Sequence, residues 1–389
     1  MRPLHRWAMA AATLAIGLAQ ALALAAPPAP PRQPASGPGG RDYSHARVVM
    51  SRGGVADREY WIFEPADPAP VQAPVVVFLH GWGAMLPDPY GAWIEHLVRK
   101  GNIVVFPRYQ ATLTTPPRSM TDHAVAAVRQ ALGQLSSGRH VRPDTRRFAV
   151  VGHSLGGVLA ANLAVRARYG QLPLPKAVMV VEPGDPPETA IWFARKQPSI
   201  MEDYAGIDPG TLLLVVAGDA DRTVGERTAR TVFTLAQVAA GNKNYVIVHS
   251  DRHGRPALVA DHYAPAALVP QDAPEAPEIT VVPAWMQSVA LRLLGLVTGR
   301  VDVTRSVGPP DALDYFGFWK LLDALLDAAF YGRCRAVALG DTPEQRFMGT
   351  WSDGVPVRPL EVYVTLPPAA LPGAPSRAHA GAPEQAGAP

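Results

Sequence analysis

The sequence predicts an α/β fold with a mostly parallel central sheet and helices on both faces, and two observations support this. Short, continuously apolar runs such as residues 75–79 and 212–216 are typical of strands that are buried on both faces. Segments with helical periodicity, residues 119–135 among them, alternate with these runs from residue 75 to residue 299. Such alternation indicates parallel strands that are joined by crossover helices.

The predicted elements follow one another along the body of the chain. It opens with an antiparallel hairpin, because two β-rich runs, residues 46–50 and 59–63, flank Gly53 and Gly54. Ligands bind beyond the carboxyl ends of the strands in sheets of this kind. The later strands are predicted at 75–79, 102–106, 147–151, 177–181, 212–216 and 245–248, and the helices at 90–100, 119–135, 158–168, 228–240 and 285–299.

Residues 1–25 have the pattern of a secretory signal peptide. Arg2 and Arg6 form a short basic start, a nearly uninterrupted apolar run extends from residue 8 to residue 24, and Ala23-Leu24-Ala25 is a small-x-small cleavage site. The alternative is a membrane anchor, although this run is short for a span. We therefore expect a secreted or periplasmic protein with no membrane span once the leader is removed.

The remaining chain divides by composition into four parts. Residues 26–41 are rich in Pro, Gly and Ala and are predicted to be a linker, and residues 42–300 form the predicted catalytic domain. Residues 367–389 have almost no large apolar side chain and are predicted to be a disordered tail. Residues 301–366 are an extension of a helix and a hairpin.

Within the extension, residues 311–331 carry one apolar stripe at helical spacing. Residues 347–351 and 355–364 flank the turn signal Ser352-Asp353-Gly354, which predicts a hairpin. Two prolines in the second run confine that strand to the edge of a sheet.

Composition and missing motifs exclude several function classes. The net charge is only +3 and no basic patch is present, so nothing indicates a nucleic-acid partner. Cys334 is the single cysteine, which excludes an intramolecular disulfide and zinc sites built on cysteine pairs. The sequence contains no Walker lysine, no H-E-x-x-H and no well-placed dinucleotide fingerprint. We expect no metal and no cofactor.

The strongest motif is Gly152-His153-Ser154-Leu155-Gly156, which lies between an apolar run and an alanine-rich helical segment. A strand, a tight turn and a helix are the context that a G-x-S-x-G nucleophile requires. The turn would raise the Ser154 hydroxyl above the sheet, and the first N–H groups of the helix would point at the same place. The Leu155 N–H is therefore one candidate oxyanion donor.

Taken in order, the motifs resemble those of the α/β-hydrolase family over roughly residues 44–299. H-G-x-G follows the third strand, G-x-S-x-G the fifth, G-D-x-D the seventh, and a histidine the eighth. Within the family the chain looks like the branch of secreted serine esterases, cutinases and polyester hydrolases. It also resembles dienelactone hydrolases, but their cysteine nucleophile is absent here, so their activity is not carried over.

The resemblance implies the acid and the second oxyanion donor. In the family's pattern the second acid of Gly218-Asp219-Ala220-Asp221 is the triad member, so Asp221 is preferred to Asp219, which is expected to bind the loop backbone. The backbone N–H of Trp82 would be the second oxyanion donor. Trp82 and Trp192 could also form a wall of the acyl pocket, although such aromatic residues more often pack in cores.

Two histidines compete for the role of general base. His253 follows the last predicted strand by a short loop and precedes Gly254, whereas His262 stands in Asp-His-Tyr-Ala-Pro, a string that resembles cutinase-like enzymes. The shorter path favours His253, with His262 as the alternate.

The sequence as a whole predicts a secreted serine hydrolase that cleaves carboxylic esters, small or polymeric, through a Ser154 acyl-enzyme. The Pro-rich connection at residues 182–210 leaves little room for a cap, which predicts an open cleft. Fold alone does not separate esters from thioesters, amides or peptides, or from a binding protein without catalysis. The sequence leaves the oligomeric state open.

Overall fold

A computed structural model describes residues 26–185, 199–269 and 307–366. Four of the sequence predictions fall outside these residues: the signal peptide at 1–25, Trp192, the helix at 285–299 and the tail at 367–389.

The described chain forms one nine-stranded sheet in the order β1-β2-β4-β3-β5-β6-β7-β8-β9. Its six inner strands, β3 to β8, pair in parallel with one another, whereas β1, β2 and β9 are antiparallel to their neighbours. The predicted mostly parallel sheet and its opening hairpin are confirmed. The strands are β1 (Arg47–Gly53), β2 (Glu59–Ala66), β3 (Gln72–Leu79), β4 (Ile103–Arg108), β5 (Arg142–His153), β6 (Ala177–Val181), β7 (Leu212–Gly218), β8 (Lys243–Val248) and β9 (Glu361–Tyr363).

Helices cover both faces of this sheet, and two apolar clusters fill the space beneath them. Alternate residues of one strand belong to different clusters: on β3, Val75 and Val77 face one and Val76 and Phe78 the other. This follows from the two-residue period of a strand. The helices are α1 (Gly91–Arg99), α2 (Pro117–Leu135), α3 (Leu155–Arg168), α4 (Arg227–Leu235), α5 (Lys320–Tyr331), α6 (Arg335–Ala338) and α7 (Pro343–Arg346).

The extension differs from its prediction in one respect. Its helix is present, opening with a π-helical stretch at Asp314–Trp319 that continues into α5, but the two runs of the predicted hairpin meet only in a single bridge between Thr350 and Pro356. The second run instead supplies β9, which pairs with β8 at the edge of the body's sheet. Pairing with a buried strand satisfies more backbone groups than a proline-containing hairpin could.

Residues 26–41 were predicted to be a linker, but the structure packs them against the body. The Ala29 N–H donates to Ser352 Oγ at 2.9 Å, and the Gly39 N–H donates to Asp323 Oδ2 at 2.8 Å. The Pro28 carbonyl accepts from the Arg255 N–H at 2.9 Å. Proline has no N–H but keeps its carbonyl, so an extended Pro-rich segment can dock through its oxygens.

Among the described residues, no helix combines the length and the apolar character needed to cross a membrane.

Candidate active site

Ser154 occupies the turn between β5 and α3, and its backbone is held in a conformation that is rare for a residue with a side chain. Its φ is 57° and its ψ is −124°. Two backbone bonds fix this geometry: the Ser154 N–H donates to the Val181 carbonyl and the Ser154 carbonyl accepts from the Gly157 N–H, both at 2.9 Å. Strain of this kind persists only where the surroundings enforce it, and it is typical of nucleophile turns.

Close approach explains the two glycines that flank Ser154. A Cβ on Gly152 would overlap the carbonyl of Gly156, and a Cβ on Gly156 would overlap the carbonyl of Leu79 at the end of β3. Helix α3 therefore begins in contact with the strands that lead into the site.

His262 is the histidine that the structure brings to Ser154. Its Nε2 lies 2.9 Å from Ser154 Oγ, and its Nδ1 lies 2.9 Å from Asp221 Oδ2. Ser154, Asp221 and His262 are 8%, 9% and 6% exposed, respectively. A nucleophile, a base and an orienting acid are thus linked by one hydrogen-bond chain.

Asp221 is anchored by the loop that follows β7. Its Oδ1 accepts from the N–H groups of Thr223 at 2.8 Å and Val224 at 3.1 Å. Burial alone would raise the pKa of Asp221, but the hydrogen bond from His262 and these backbone bonds outweigh it and hold the pKa below its usual range. The carboxylate is therefore charged at neutral pH, as an acid that stabilises an imidazolium must be.

His253, the histidine that the sequence favoured, is not in this chain of hydrogen bonds. It lies at the protein surface, where its Nε2 is 2.7 Å from Asp353 Oδ2 of the extension. The prediction that His253 bonds to Ser154 is wrong for this structure, and the alternate, His262, occupies that place.

The physical reason is the shape of the loop between the two histidines. Asp251 and Leu258 exchange two backbone hydrogen bonds of 2.9 Å each, so the residues between them form a closed loop that returns the chain to its start. The Ala260 carbonyl then accepts from the Ala220 N–H at 3.0 Å, beside the end of β7. His253 stays in the closed loop, whereas His262 lies directly after the return.

Asp219 and His249 form a separate cluster at the ends of β7 and β8. Asp219 Oδ1 accepts from the Ser250 backbone N–H at 2.9 Å, the loop-binding role expected of it. His249 lies between Asp219, at 3.2 Å, and Glu361 of β9, at 3.0 Å.

The loop after β3 lies against the nucleophile. A Cβ built on Gly81 would be 3.3 Å from Ser154 Cβ, so the backbone of His80-Gly81-Trp82 passes beside the serine. The neighbouring N–H groups are bonded elsewhere, that of Gly81 to the Tyr90 hydroxyl and that of Gly83 to Gln110 Oε1, both at 2.9 Å. The Trp82 N–H belongs to this loop and the Leu155 N–H directly follows Ser154 in the chain, so both stay the candidate oxyanion donors that the sequence predicts.

Comparisons with known proteins match parts of this chain. A family model described as "Chlorophyllase" matches residues 50–207. The chain is 36% identical over 119 residues to "Esterase LipI" of Mycobacterium tuberculosis, a stretch that covers 30% of this chain and 36% of that protein. It is 26% identical over 215 residues to "Methylphloroacetophenone synthase" of Cladonia uncialis, covering 52% of this chain and 8% of that protein.

The chain has an α/β-hydrolase fold. The sheet order, the strained serine turn and the esterase-like relatives all support this fold. The chain spans about a third of the esterase's length, so the relatives establish the kind of fold and not the whole protein's activity.

Two histidines of the strand-end motifs, His80 and His153, are buried and neutral. Burial lowers the pKa of His80 to about 4 and that of His153 to about 3. His80 stacks on Tyr109 with ring centroids 4.1 Å apart, and His153 Nδ1 lies 2.8 Å from the Tyr90 hydroxyl. Both support the loops of the site from within.

Sequence reasoning missed one buried acid, Glu182. It follows β6 directly, and its Oε2 lies 3.7 Å from His262 Nδ1 and 3.5 Å from His153 Nε2. The available signal was an acid at the carboxyl end of an apolar run, the position that singled out Asp221.

Among the described residues, His153, Glu182 and His262 are the group whose possible metal-ligand atoms lie close together, within 4.8 Å of one another. The hydrogen bonds argue against a metal there. His262 Nδ1 faces Asp221 at 2.9 Å, so a metal at this nitrogen would displace the hydrogen that orients the ring.

The close contact at Gly152 generates a stability prediction. Gly152→Ala should lower the melting temperature, because the new Cβ overlaps the Gly156 backbone and neither segment is free to move. Gly133→Ala is the matched control, since its Cβ would meet nothing within 4 Å on an exposed face of α2. The control should be stabilised by about 0.4–1 kcal/mol. Calorimetry of both variants checks this, and equal melting temperatures would contradict it.

Proposed function

We propose that this α/β-hydrolase cleaves carboxylic esters through an acyl-enzyme on Ser154, with His262 as the base and Asp221 as the acid. The observation that carries the proposal is the unbroken hydrogen-bond chain from Asp221 Oδ2 through His262 to Ser154 Oγ. A serine hydroxyl is a weak nucleophile until a positioned base accepts its proton, and His262 is placed to be that base.

The geometry supports a two-step mechanism. His262 Nε2 accepts the proton of Ser154 Oγ as the oxygen attacks the ester carbonyl, and the charged Asp221 stabilises the resulting imidazolium. The N–H groups of Leu155 and Trp82 stabilise the oxyanion. The imidazolium then donates its proton to the leaving alkoxide, and a water molecule, activated by the same histidine, releases the acid product and frees Ser154.

The ester is preferred to other acyl substrates because of the relatives. One matching family is described as "Chlorophyllase" and one relative is named an esterase. A thioester, an amide or a peptide bond could be cleaved by the same three residues, and a panel of acyl substrates separates these possibilities. A binding protein without catalysis is disfavoured, because a buried serine, histidine and aspartate in mutual contact serve no purpose in binding alone.

Replacement of the nucleophile tests the proposal most directly. Ser154→Ala should abolish hydrolysis of p-nitrophenyl acetate and butyrate and labelling by a fluorophosphonate probe, because the attacking oxygen is removed. Loss of several orders of magnitude in kcat is expected for a triad member. The far-ultraviolet circular dichroism spectrum should remain that of the wild type. A variant with wild-type turnover would refute the assignment.

The two histidines give a matched pair of variants. His262→Ala should lower kcat nearly as far as Ser154→Ala, because the base and the nucleophile act as one unit. His253→Ala should leave kcat within about twofold, since this ring contacts Asp353 at the surface. Steady-state kinetics with p-nitrophenyl butyrate measure both. If His253→Ala loses far more kcat than His262→Ala, then His253 is the general base.

We also propose that the protein is secreted or periplasmic, on the evidence of the leader pattern at residues 1–25. Mass spectrometry of the protein recovered from the medium or the periplasm should find a chain that begins near Ala26. An uncleaved chain in the cytosol would contradict the proposal.

A further inference from the structure

Glu182 is the buried acid that the proposed mechanism does not use. It is 0% exposed and directly follows β6, and its backbone has a φ of 44°, in the left-handed region that side chains disfavour. Its N–H donates to the Val216 carbonyl of β7 at 2.7 Å, which fixes the strained residue between two central strands. A strained, fully buried acid at the strand ends needs a reason, because burial of a carboxylate is costly unless its charge is used.

The backbone around Glu182 makes room for its carboxylate. A Cβ on Gly218, the last residue of β7, would lie 2.6 Å from Glu182 Oε1. Glycine at 218 therefore allows the acid to lie beneath the loop that carries Asp221. The two acids come from the ends of neighbouring strands and meet on the same side of His262.

The imidazole rings of His262 and His153 both face the Glu182 carboxylate. Its Oε2 is 3.7 Å from His262 Nδ1, the nitrogen that also bonds to Asp221, and 3.5 Å from His153 Nε2. Within the part of the chain that the structure describes, the titratable groups that face His262 are Asp221, Glu182, His153, Ser154 and Tyr263. Of these, the two carboxyl groups are the ones able to offset a positive charge on its ring.

His153 connects Glu182 to the loop of the proposed oxyanion site. The Gly81 N–H donates to the Tyr90 hydroxyl at 2.9 Å, and the same hydroxyl lies 2.8 Å from His153 Nδ1. The other ring nitrogen of His153, Nε2, lies 3.5 Å from Glu182 Oε2. A continuous buried path therefore runs from Gly81 through Tyr90 and His153 to Glu182 and His262.

We propose that Glu182 is a positioning residue that holds His262 jointly with Asp221, and that it sustains part of the activity when Asp221 is lost. The proposal rests on the proposed function of Ser154 and His262. A histidine with one acid loses its orientation when that acid is removed, and a drop of about 10⁴-fold in kcat follows in such triads. Here the Glu182 carboxylate lies 3.7 Å from His262 Nδ1, compared with 2.9 Å for Asp221. A movement of about one ångström would bring Glu182 into hydrogen-bond contact with this nitrogen.

The experiment compares Asp221→Ala, Glu182→Gln and the double variant, with Glu95→Gln on the surface of α1 as a matched control. The readouts are the second-order rate of labelling of Ser154 by a fluorophosphonate and kcat and KM for p-nitrophenyl butyrate, each from pH 5 to pH 9. Asp221→Ala should lose about 10–100-fold in labelling, and the double variant about 10⁴-fold. Glu182→Gln alone should lose about tenfold in kcat with KM unchanged, and Glu95→Gln should match the wild type.

The pH profile separates positioning from a merely structural role. Glu182→Gln removes a negative charge that would stabilise the imidazolium of His262. The fall of the labelling rate at acidic pH, here called the acid limb, should therefore occur at lower pH in this variant. Glu182→Asp, which keeps the charge, should return the limb to its wild-type position. A variant that only loosened the fold would lower the rate without moving the limb.

The outcomes distinguish the two proposals. If the wild-type protein is labelled by the fluorophosphonate but hydrolyses no ester, the proposal of an ester substrate is refuted. The role of Glu182 is then decided by the labelling rates of the variants. A full 10⁴-fold loss in Asp221→Ala alone would overturn the inference, and this result does not depend on whether Glu182→Gln folds. An unmoved acid limb in a folded Glu182→Gln would overturn it as well.

Discussion

The strained turn at Ser154 is the constraint on which the site depends. A serine with a φ of 57° is stable only because β3, β5 and α3 approach so closely that Gly152 and Gly156 have no room for a side chain. Helix α3 is buried along almost its whole length, so the body of the protein holds the turn on every side. The energy that fixes the nucleophile therefore comes from burial of the central strands and this helix.

The histidine depends on parts of the chain that lie far from the serine in sequence. The closed loop after β8 is held from outside by the extension, because Asp251 Oδ2 accepts from Trp351 Nε1 at 3.1 Å and from the Arg358 N–H at 2.9 Å. Gly254 packs under the Trp351 ring, where a Cβ would lie 2.5 Å from ring carbons. The N-terminal segment completes this support through Pro28. The extension thus helps to position the loop that delivers His262.

Electrostatics divides the ionisable groups of the site by environment. Burial keeps His80 and His153 neutral, whereas hydrogen bonds to Thr223, Val224 and His262 keep Asp221 charged. Negative charge is therefore held on Asp221 beside His262, the ring that must gain and lose a proton in the proposed mechanism. The neutral histidines contribute hydrogen bonds and packing without competing for that proton.

The fold class, the nucleophile turn and the candidate acid could be predicted from the sequence, because they follow from local patterns: apolar runs of strand length, glycines around a serine, and an acid two residues after another at a strand end. The choice between His253 and His262 needed the folded chain, since it depends on two backbone hydrogen bonds between Asp251 and Leu258 that close the loop. The packing of residues 26–41, the pairing of β9 with β8 and the approach of Glu182 to His262 were decided in the same way. Each is a contact between segments distant in the chain, and no local pattern encodes which distant partner a segment meets.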